Sequence, residues 1–156
     1  MIESLKPVIQ AQPFFQGFSA AMTDLIVGCA ENVRFAKGDY LLREGQPANE
    51  FFLIRSGRVV ISIHGVQHGT LIAQTIESGE MLGWSWLVPP YRARFDATAA
   101  EETRALRFDG QCLRGKCDED PRLGYELLKR VSTSLAERLE SLRIQLMDLY
   151  GPKQGA

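Results

Sequence analysis

One stretch of the chain combines glycine turns, aromatic side chains and arginines, which are the residue types that a pocket for an anion requires. The stretch spans residues 79–98 and turns at Gly79 and again at Gly83. Towards its end, Arg92 and Arg94 lie on either side of one alanine. Backbone N–H groups at such a turn can point at an anion, and guanidinium groups add charge-assisted hydrogen bonds. We interpret this stretch as a ligand-binding pocket.

The remaining polar residues form no recognisable catalytic or metal site, so we expect a protein without enzymatic activity. No Ser-His-Asp or Cys-His set, paired-carboxylate site or Walker-type loop stands out. His64 and His68 lie around a strand end and a turn, and we expect them at the surface rather than on a metal or haem. Cys112 and Cys117 have no histidine or further cysteine nearby, so we predict no metal site.

The cysteines and the charge balance favour a cytoplasmic protein. Cys29, Cys112 and Cys117 are scattered, which does not suggest a disulfide framework, and reduced thiols fit a reducing compartment. No apolar run approaches the ~20 residues of a membrane span, and the N-terminus does not read as a signal peptide. The net charge of -1 lacks the basic excess of a dedicated nucleic-acid binder. We therefore expect no membrane association.

The sequence predicts that the elements around the pocket are short strands separated by glycine turns. Val59, Ile61 and Ile63 share one strand face, for example, and Gly65 then turns the chain. Short strands with regular turns indicate a sandwich or barrel rather than a parallel α/β sheet. The whole chain of 156 residues fits a single domain. Its three parts are N-terminal helices (1–30), strands (31–109) and C-terminal helices (110–150).

The C-terminal part contains one long helix with a heptad pattern. Asp120 is a favoured N-cap and Pro121 a favoured first residue, and the helix runs over 121–150 before Gly151 ends it. Leucines at heptad spacing favour a parallel two-stranded coiled coil, and the alternative is a helix packed along its own domain. The predicted homodimer interface comprises Leu128, Leu135, Leu139, Leu142, Leu146 and Leu149. No helix-turn-helix follows, so we expect no direct DNA binding by this chain.

Several short motifs occur in a fixed order along the chain. They are Phe35-x-x-Gly38-Asp39-x-Leu41-x-x-Glu44-Gly45, Phe52-x-Ile54-x-x-Gly57-x-Val59, Gly79-Glu80-x-x-Gly83, Ala99-x-x-x-Thr103 and Leu135-Ala-Glu-Arg138-Leu139. In this order the chain resembles the cyclic nucleotide-binding domain, which is the sensor half of the Crp/Fnr regulators and the regulatory module of some kinases and channels. The resemblance implies a mainly β fold, a double-stranded β-helix (β-roll or jelly roll), with flanking helices and a long C-terminal helix.

The resemblance also implies a phosphate-binding cassette at residues 79–98. In the family the cassette reads Gly-Glu-aliphatic-Ala-Leu and, after a short loop, Arg-Ser/Ala-Ala-Thr. A short helix that begins at the glycine presents N–H groups to the phosphate, the arginine neutralises it, and the glutamate accepts from the ribose 2′-hydroxyl. The implied ligand is a cyclic nucleotide (cAMP or cGMP) or another small phosphate-containing molecule.

The cassette of this chain departs from the family pattern. Trp84 takes the glutamate position, and an indole can only donate a hydrogen bond. Losing a charged acceptor costs ~1.5–3 kcal/mol, or about tenfold to a hundredfold in affinity. The arginine position falls on Ala93, between Arg92 and Arg94, and either of these could supply the charge. Asp96 follows shortly after and would oppose a phosphate.

Two interpretations of the aromatic residues stay open. Trp84, Trp86 and Tyr91 either stack on a planar ligand or fill the pocket and pack against the roll. Thr133 on the long helix corresponds to the region where related proteins contact the base; its alternative is an exposed helix position. The predicted ligand-binding residues are Leu82, Gly83, Trp84, Ser85, Trp86, Arg92, Ala93, Arg94 and Thr133.

We thus predict a non-enzymatic, dimeric sensor domain that signals to a downstream protein partner. The first alternative is a ligand-free interaction module whose pocket is filled by Trp84 and Trp86. The second alternative is a truncated Crp/Fnr-like transcription regulator that needs a partner in order to bind DNA.

Overall fold

Two four-stranded antiparallel sheets form the body of the protein, as the strand pattern and the resemblance predict. The computed structural model describes residues 4–65 and 69–151. Sheet one has the order β1-β8-β3-β6, and sheet two has the order β2-β7-β4-β5. The strands are β1 (Ala30–Phe35), β2 (Tyr40–Leu42), β3 (Glu50–Ser56), β4 (Arg58–Gly65), β5 (Gly69–Glu77), β6 (Met81–Leu82), β7 (Asp96–Ala99) and β8 (Thr103–Asp109).

Four α-helices flank the two sheets in the described residues, and a single 3₁₀ turn lies at Pro13–Phe15. The helices are α1 (Lys6–Gln10), α2 (Ala20–Val27), α3 (Gly110–Glu119) and α4 (Pro121–Tyr150). None of the helices in the described ranges is long and apolar enough to cross a membrane. His68, which the sequence places in the β4–β5 turn, lies outside the described residues.

Strand β3 connects two apolar layers because both of its faces are covered. Phe52 and Ile54 point into the space between the sheets, whereas Phe51 and Leu53 belong to a second core that lies against the helices. All four side chains are 0% exposed. The uninterrupted apolar run Phe51–Ile54 is the sequence signal of this double burial, since a strand with one solvent-exposed face would alternate apolar and polar residues.

Helix α4 packs on the roll with its first half only. Leu123, Leu127 and Val131 are spaced by four residues and buried against the helix-side core, which Leu135 also contacts. The Asp120 carboxylate caps the helix by accepting from two of its first N–H groups. Beyond this packed half, α4 carries exposed apolar side chains, which a coiled-coil helix would need.

The expectation that the cysteines stay unpaired is wrong. Cys29 and Cys112 form a disulfide with a Cα–Cα distance of 5.7 Å, and Cys117 is free. The pair is brought together by tertiary structure, because Ala30 pairs with Phe108 where β1 meets β8. The two cysteines are 83 residues apart in sequence, so their spacing gave no sign of the bond. In the described ranges no three His, Cys, Asp or Glu side chains are placed to hold a metal ion.

Candidate ligand-binding site

The cassette begins with a strand and a glycine that the backbone geometry requires. Leu82 in β6 pairs with Phe52 in β3 and is fully buried in the roll interior. Gly83 then has a φ of +93°, and a Cβ atom on it would lie 3.2 Å from the Glu50 carbonyl oxygen. A side chain at this position would therefore be strained by both the dihedral angle and the contact. Gly83 allows β6 to end abruptly beside β3.

A single tight turn follows Gly83 where the family resemblance implies a short helix. The Leu87 N–H donates to the Trp84 carbonyl at 3.1 Å, and the Val88 N–H donates to the Ser85 carbonyl at 3.3 Å. Within the described part of the chain, the N–H groups of Trp84, Ser85 and Trp86 have no acceptor. Three successive free N–H groups give this turn the partial positive charge that attracts an anion.

The aromatic residues of the cassette anchor it to the core and to α3. Trp86 is 0% exposed and packs on Phe51, with 5.7 Å between the ring centroids. The Arg114 guanidinium, from α3, donates to the Trp86 carbonyl and lies over the Tyr91 ring at 4.2 Å. Trp84 is only partly buried and packs against the same core. Trp86 therefore packs in the core, whereas Trp84 keeps some solvent-exposed surface that a ligand or partner could contact.

The cassette arginines point away from the roll interior. Ala93 is buried, its N–H donates to the Gln46 carbonyl at 2.9 Å, and its carbonyl accepts from the Gly45 N–H at 2.8 Å. These two bonds turn Arg92 and Arg94 outward together, and both are exposed. Arg92 uses its guanidinium to donate to the Gly45 carbonyl at 2.9 Å.

Asp96 is a buried carboxylate at the end of the cassette. Its side chain accepts from the Glu44 N–H at 2.8 Å and is paired with His64. The hydrogen bond from Glu44 lowers the pKa of Asp96, and His64 adds to this effect against the opposing effect of burial. The carboxylate is therefore held by Glu44 and His64.

A cavity of about 700 Å³ lies between the roll and α4, beside the first residues of the cassette. Its walls are the 3₁₀ turn, the end of β5, the β5–β6 turn and one face of α4. The lining residues are Pro13, Phe14, Gln74, Thr75, Ile76, Gly79, Glu80, Met81, Arg130, Thr133, Ser134, Glu137, Arg138, Ser141 and Gln145. The volume is typical of pockets that hold drug-sized or nucleotide-sized molecules.

Arg138 supplies a positive charge to this cavity. The side chain is partly buried, and burial lowers the pKa of Arg138 while the nearby charge of Glu80 opposes that effect. Among the described residues, no hydrogen bond or ion pair engages Arg138. Arg130, in contrast, donates to the Phe14 carbonyl at 2.7 Å and lies over the Phe18 ring at 4.4 Å. Arg130 therefore fastens α4 to the N-terminal segment, and Arg138 is the cation that is available to a ligand.

The structure separates the predicted ligand-binding residues into two groups. Thr133 lines the cavity, where its hydroxyl donates to the Lys129 carbonyl at 2.8 Å. The cassette residues from Leu82 to Arg94 do not line it. Arg138 belongs to one of the family motifs, but it was not predicted to bind a ligand. The overlooked signal is a polar stripe at helical spacing along α4, formed by Arg130, Ser134, Arg138, Ser141 and Gln145.

Comparisons with known proteins agree with this architecture. A CRP-like cAMP-activated global transcriptional regulator of Mycobacterium tuberculosis is 26% identical over 135 residues, which are 86% of this chain and 58% of that regulator. This chain thus spans less than two thirds of the length of that relative. A crystal structure from Geobacter metallireducens, described as a cyclic nucleotide-binding protein, has a TM-score of 0.78 and 23% identity and covers 89% of this chain and 99% of its own.

A second structural neighbour has the same fold and belongs to a kinase described as cAMP-independent. The regulatory subunit of a cAMP-independent protein kinase A from Trypanosoma brucei has a TM-score of 0.72 and 15% identity, and the match covers 92% of this chain and 50% of that subunit. At such identities the likeness concerns the fold. The sequence profile of the cyclic nucleotide-binding domain matches residues 32–120, which is more than half of the chain. This protein belongs to the cyclic nucleotide-binding domain family of regulatory proteins.

Proposed function

We propose that this chain is a non-enzymatic, cytoplasmic sensor domain that binds a small phosphate-containing ligand in the cavity between the roll and α4. The observation that carries the proposal is the partly buried guanidinium of Arg138, which forms no ion pair or hydrogen bond with the described residues, in a cavity of about 700 Å³. A charge that is buried without a partner is costly, and such a cost is retained where a ligand supplies the counter-charge.

The polar groups of the cavity fit a nucleotide-like molecule better than a simple anion. Arg138 can neutralise a phosphate, whereas the carboxylates of Glu80 and Glu137 can accept from ribose hydroxyls or a base amine. The hydroxyls of Thr133 and Ser134 can both donate and accept. A cyclic mononucleotide such as cAMP or cGMP is the first ligand to test.

Helix α4 connects the ligand cavity with the surface that we expect to contact a partner. One face of the helix lines the cavity, and the part beyond Leu135 carries exposed apolar side chains such as Leu139, Leu146 and Leu149, which are 69%, 53% and 77% exposed. We expect these leucines, with Leu128, to form a homodimer, while Leu135 and Leu142 are already partly covered in the monomer. Ligand binding would change how α4 packs on the roll, and so what the dimer presents to a downstream protein.

The test is a thermal-shift series with cAMP, cGMP and cyclic dinucleotides at up to millimolar concentration, followed by isothermal titration of any compound that raises the Tm. We expect at least one cyclic nucleotide to raise the Tm in a concentration-dependent way. A series without any shift would contradict the nucleotide part of the proposal. Sedimentation equilibrium of the same sample tests the dimer independently of the ligand.

A ligand-free interaction module is the second candidate, and the packing of the cassette favours it. Trp86 is fully buried on Phe51, and Phe95 packs on the cluster between the sheets, so both fill space that could otherwise admit a ligand. This candidate predicts that Arg138→Met changes no ligand response because none exists. Native mass spectrometry of freshly purified protein separates the two candidates, since only a sensor would retain a small molecule.

A further inference from the structure

The disulfide joins two elements that the main chain already holds side by side. The Asp109 N–H donates to the Cys29 carbonyl at 2.9 Å, and the Asp109 carboxylate accepts from the Cys112 N–H at 3.1 Å. These hydrogen bonds do not depend on the sulfur–sulfur bond. Two thiols at these positions would stay adjacent after reduction, so the bond can open and close again without unfolding of the protein.

The disulfide lies at a surface cleft, from which its partly exposed cysteine, Cys112, can be reached. Cys29 and Cys112 both line this cleft, which has a volume of about 470 Å³ and is bounded on its other sides by residues of β3, β8 and the α3 N-terminus. Cys112 is only partly buried. A small thiol can therefore approach Cys112, as thiol–disulfide exchange requires. The third cysteine, Cys117, is partly buried on the other side of α3 and remains unpaired.

The same helix start that carries Cys112 holds the cassette. Gly110, the first residue of α3, lies so close to Trp86 that a Cβ atom on it would come within 2.8 Å of the Trp86 Cβ. Two residues beyond Cys112, the Arg114 guanidinium donates to the Trp86 carbonyl and covers the Tyr91 ring. Movement of the first turn of α3 would thus alter the surroundings of Trp86 directly.

From these contacts we infer that Cys29 and Cys112 form a reversible redox site that controls the packing of the cassette. A dithiol reductant attacks the disulfide, the sulfur–sulfur bond breaks, and each cysteine sulfur gains one electron and one proton while the dithiol is oxidised to its cyclic disulfide. The reverse reaction uses an oxidised dithiol as oxidant. In a reducing compartment a disulfide of this kind is transient and regulatory rather than structural.

The experiment follows thiol count and tryptophan exposure in the full chain without ligand. Trp84 and Trp86 are the only tryptophans in the sequence, so selectively excited tryptophan fluorescence reports on the cassette alone. The protein is equilibrated with mixtures of reduced and oxidised dithiothreitol, alkylated and weighed by mass spectrometry, while acrylamide quenching is measured in parallel. We expect one alkylated cysteine in the oxidised form and three in the reduced form, with more quenching and a red-shifted emission maximum on reduction, all reversible.

Matched variants make the result specific. Cys117→Ser should keep the whole response, whereas Cys112→Ser should fix the emission in the reduced-like state under every mixture. Arg114→Gln should retain the change in thiol count but lose the fluorescence response, because Trp86 is then loosened in both states. Three alkylated cysteines under oxidising conditions would overturn the redox site. A changing thiol count with identical quenching would overturn its control of the cassette. Neither result depends on whether any nucleotide binds.

Discussion

Replacing Arg138 by methionine should stabilise the empty protein and weaken its response to ligand. Methionine keeps most of the length of the side chain and removes a guanidinium that burial already disfavours in its charged form. We expect the free energy of unfolding of the ligand-free protein to rise by about 1 kcal/mol, because a partly buried charge without an ion pair is replaced by an apolar group of similar volume. A residue that only supported the fold would show the opposite sign.

The ligand response supplies the second half of this prediction. At a ligand concentration one hundred times Kd, the wild-type protein gains about 2.7 kcal/mol. That gain corresponds to roughly 5–11 °C in Tm for a domain of this size. Losing one contact to a charged group costs about 1.5–3 kcal/mol, which raises Kd about tenfold to a hundredfold. At the same ligand concentration the Arg138→Met protein should then gain only about 0.4–1.4 kcal/mol.

Differential scanning calorimetry with and without cyclic nucleotide measures both effects on one sample. The matched control is Arg143→Met, because Arg143 lies on the same helix, is exposed, pairs with Glu140 at 3.2 Å and does not line the cavity. This control should change neither quantity appreciably. The reasoning would be refuted if Arg138→Met lowered the Tm of the empty protein and left the ligand-induced shift at its wild-type size.

Three further predictions concern the scaffold. Cys29→Ser should lower the free energy of unfolding by about 4 kcal/mol, since the bond closes a loop of 83 residues, and non-reducing denaturation should show no such loss for Cys117→Ser. Gly83→Ala should cost about 1–3 kcal/mol in urea unfolding because of its positive φ and the contact with Glu50, whereas Gly28→Ala, which meets nothing within 4 Å, should be close to neutral. Asp96 has a folded-state pKa below its unfolded value, so the stability that it contributes is present above about pH 4 and is lost as the pH falls through the folded-state pKa. Asp96→Asn should therefore flatten the acid side of the plot of unfolding free energy against pH. Equal slopes for the two proteins would contradict this.

The fold could be predicted because its signals are local. The apolar run Phe51–Ile54 and the leucine spacing of α4 each follow from side chains that meet at fixed distances along one element. The capping pair Asp120 and Pro121 is equally local and marks the start of α4 as predicted. The order of the motifs indicated the family, and the family implied the mainly β fold with flanking helices.

The arrangement of the candidate site could be predicted only in part, because it depends on contacts between distant segments. Arg92 and Arg94 have the right side chains for an anion, yet the main-chain bonds of Ala93 to Gly45 and Gln46 turn them outward. The disulfide escaped prediction for a similar reason, since its two cysteines meet through the β1–β8 pairing. Arg138 gained its significance only when α4 was placed against β5.

Hydrogen–deuterium exchange of the full chain, with and without the cyclic nucleotide that gives the largest thermal shift, tests the central claim most directly. A ligand in the cavity should slow exchange in peptides that cover residues 74–81 and 130–145, because both segments line it. The Arg138→Met protein should lose this protection at the same ligand concentration. Protection confined to residues 84–94, with α4 unchanged, would contradict the account.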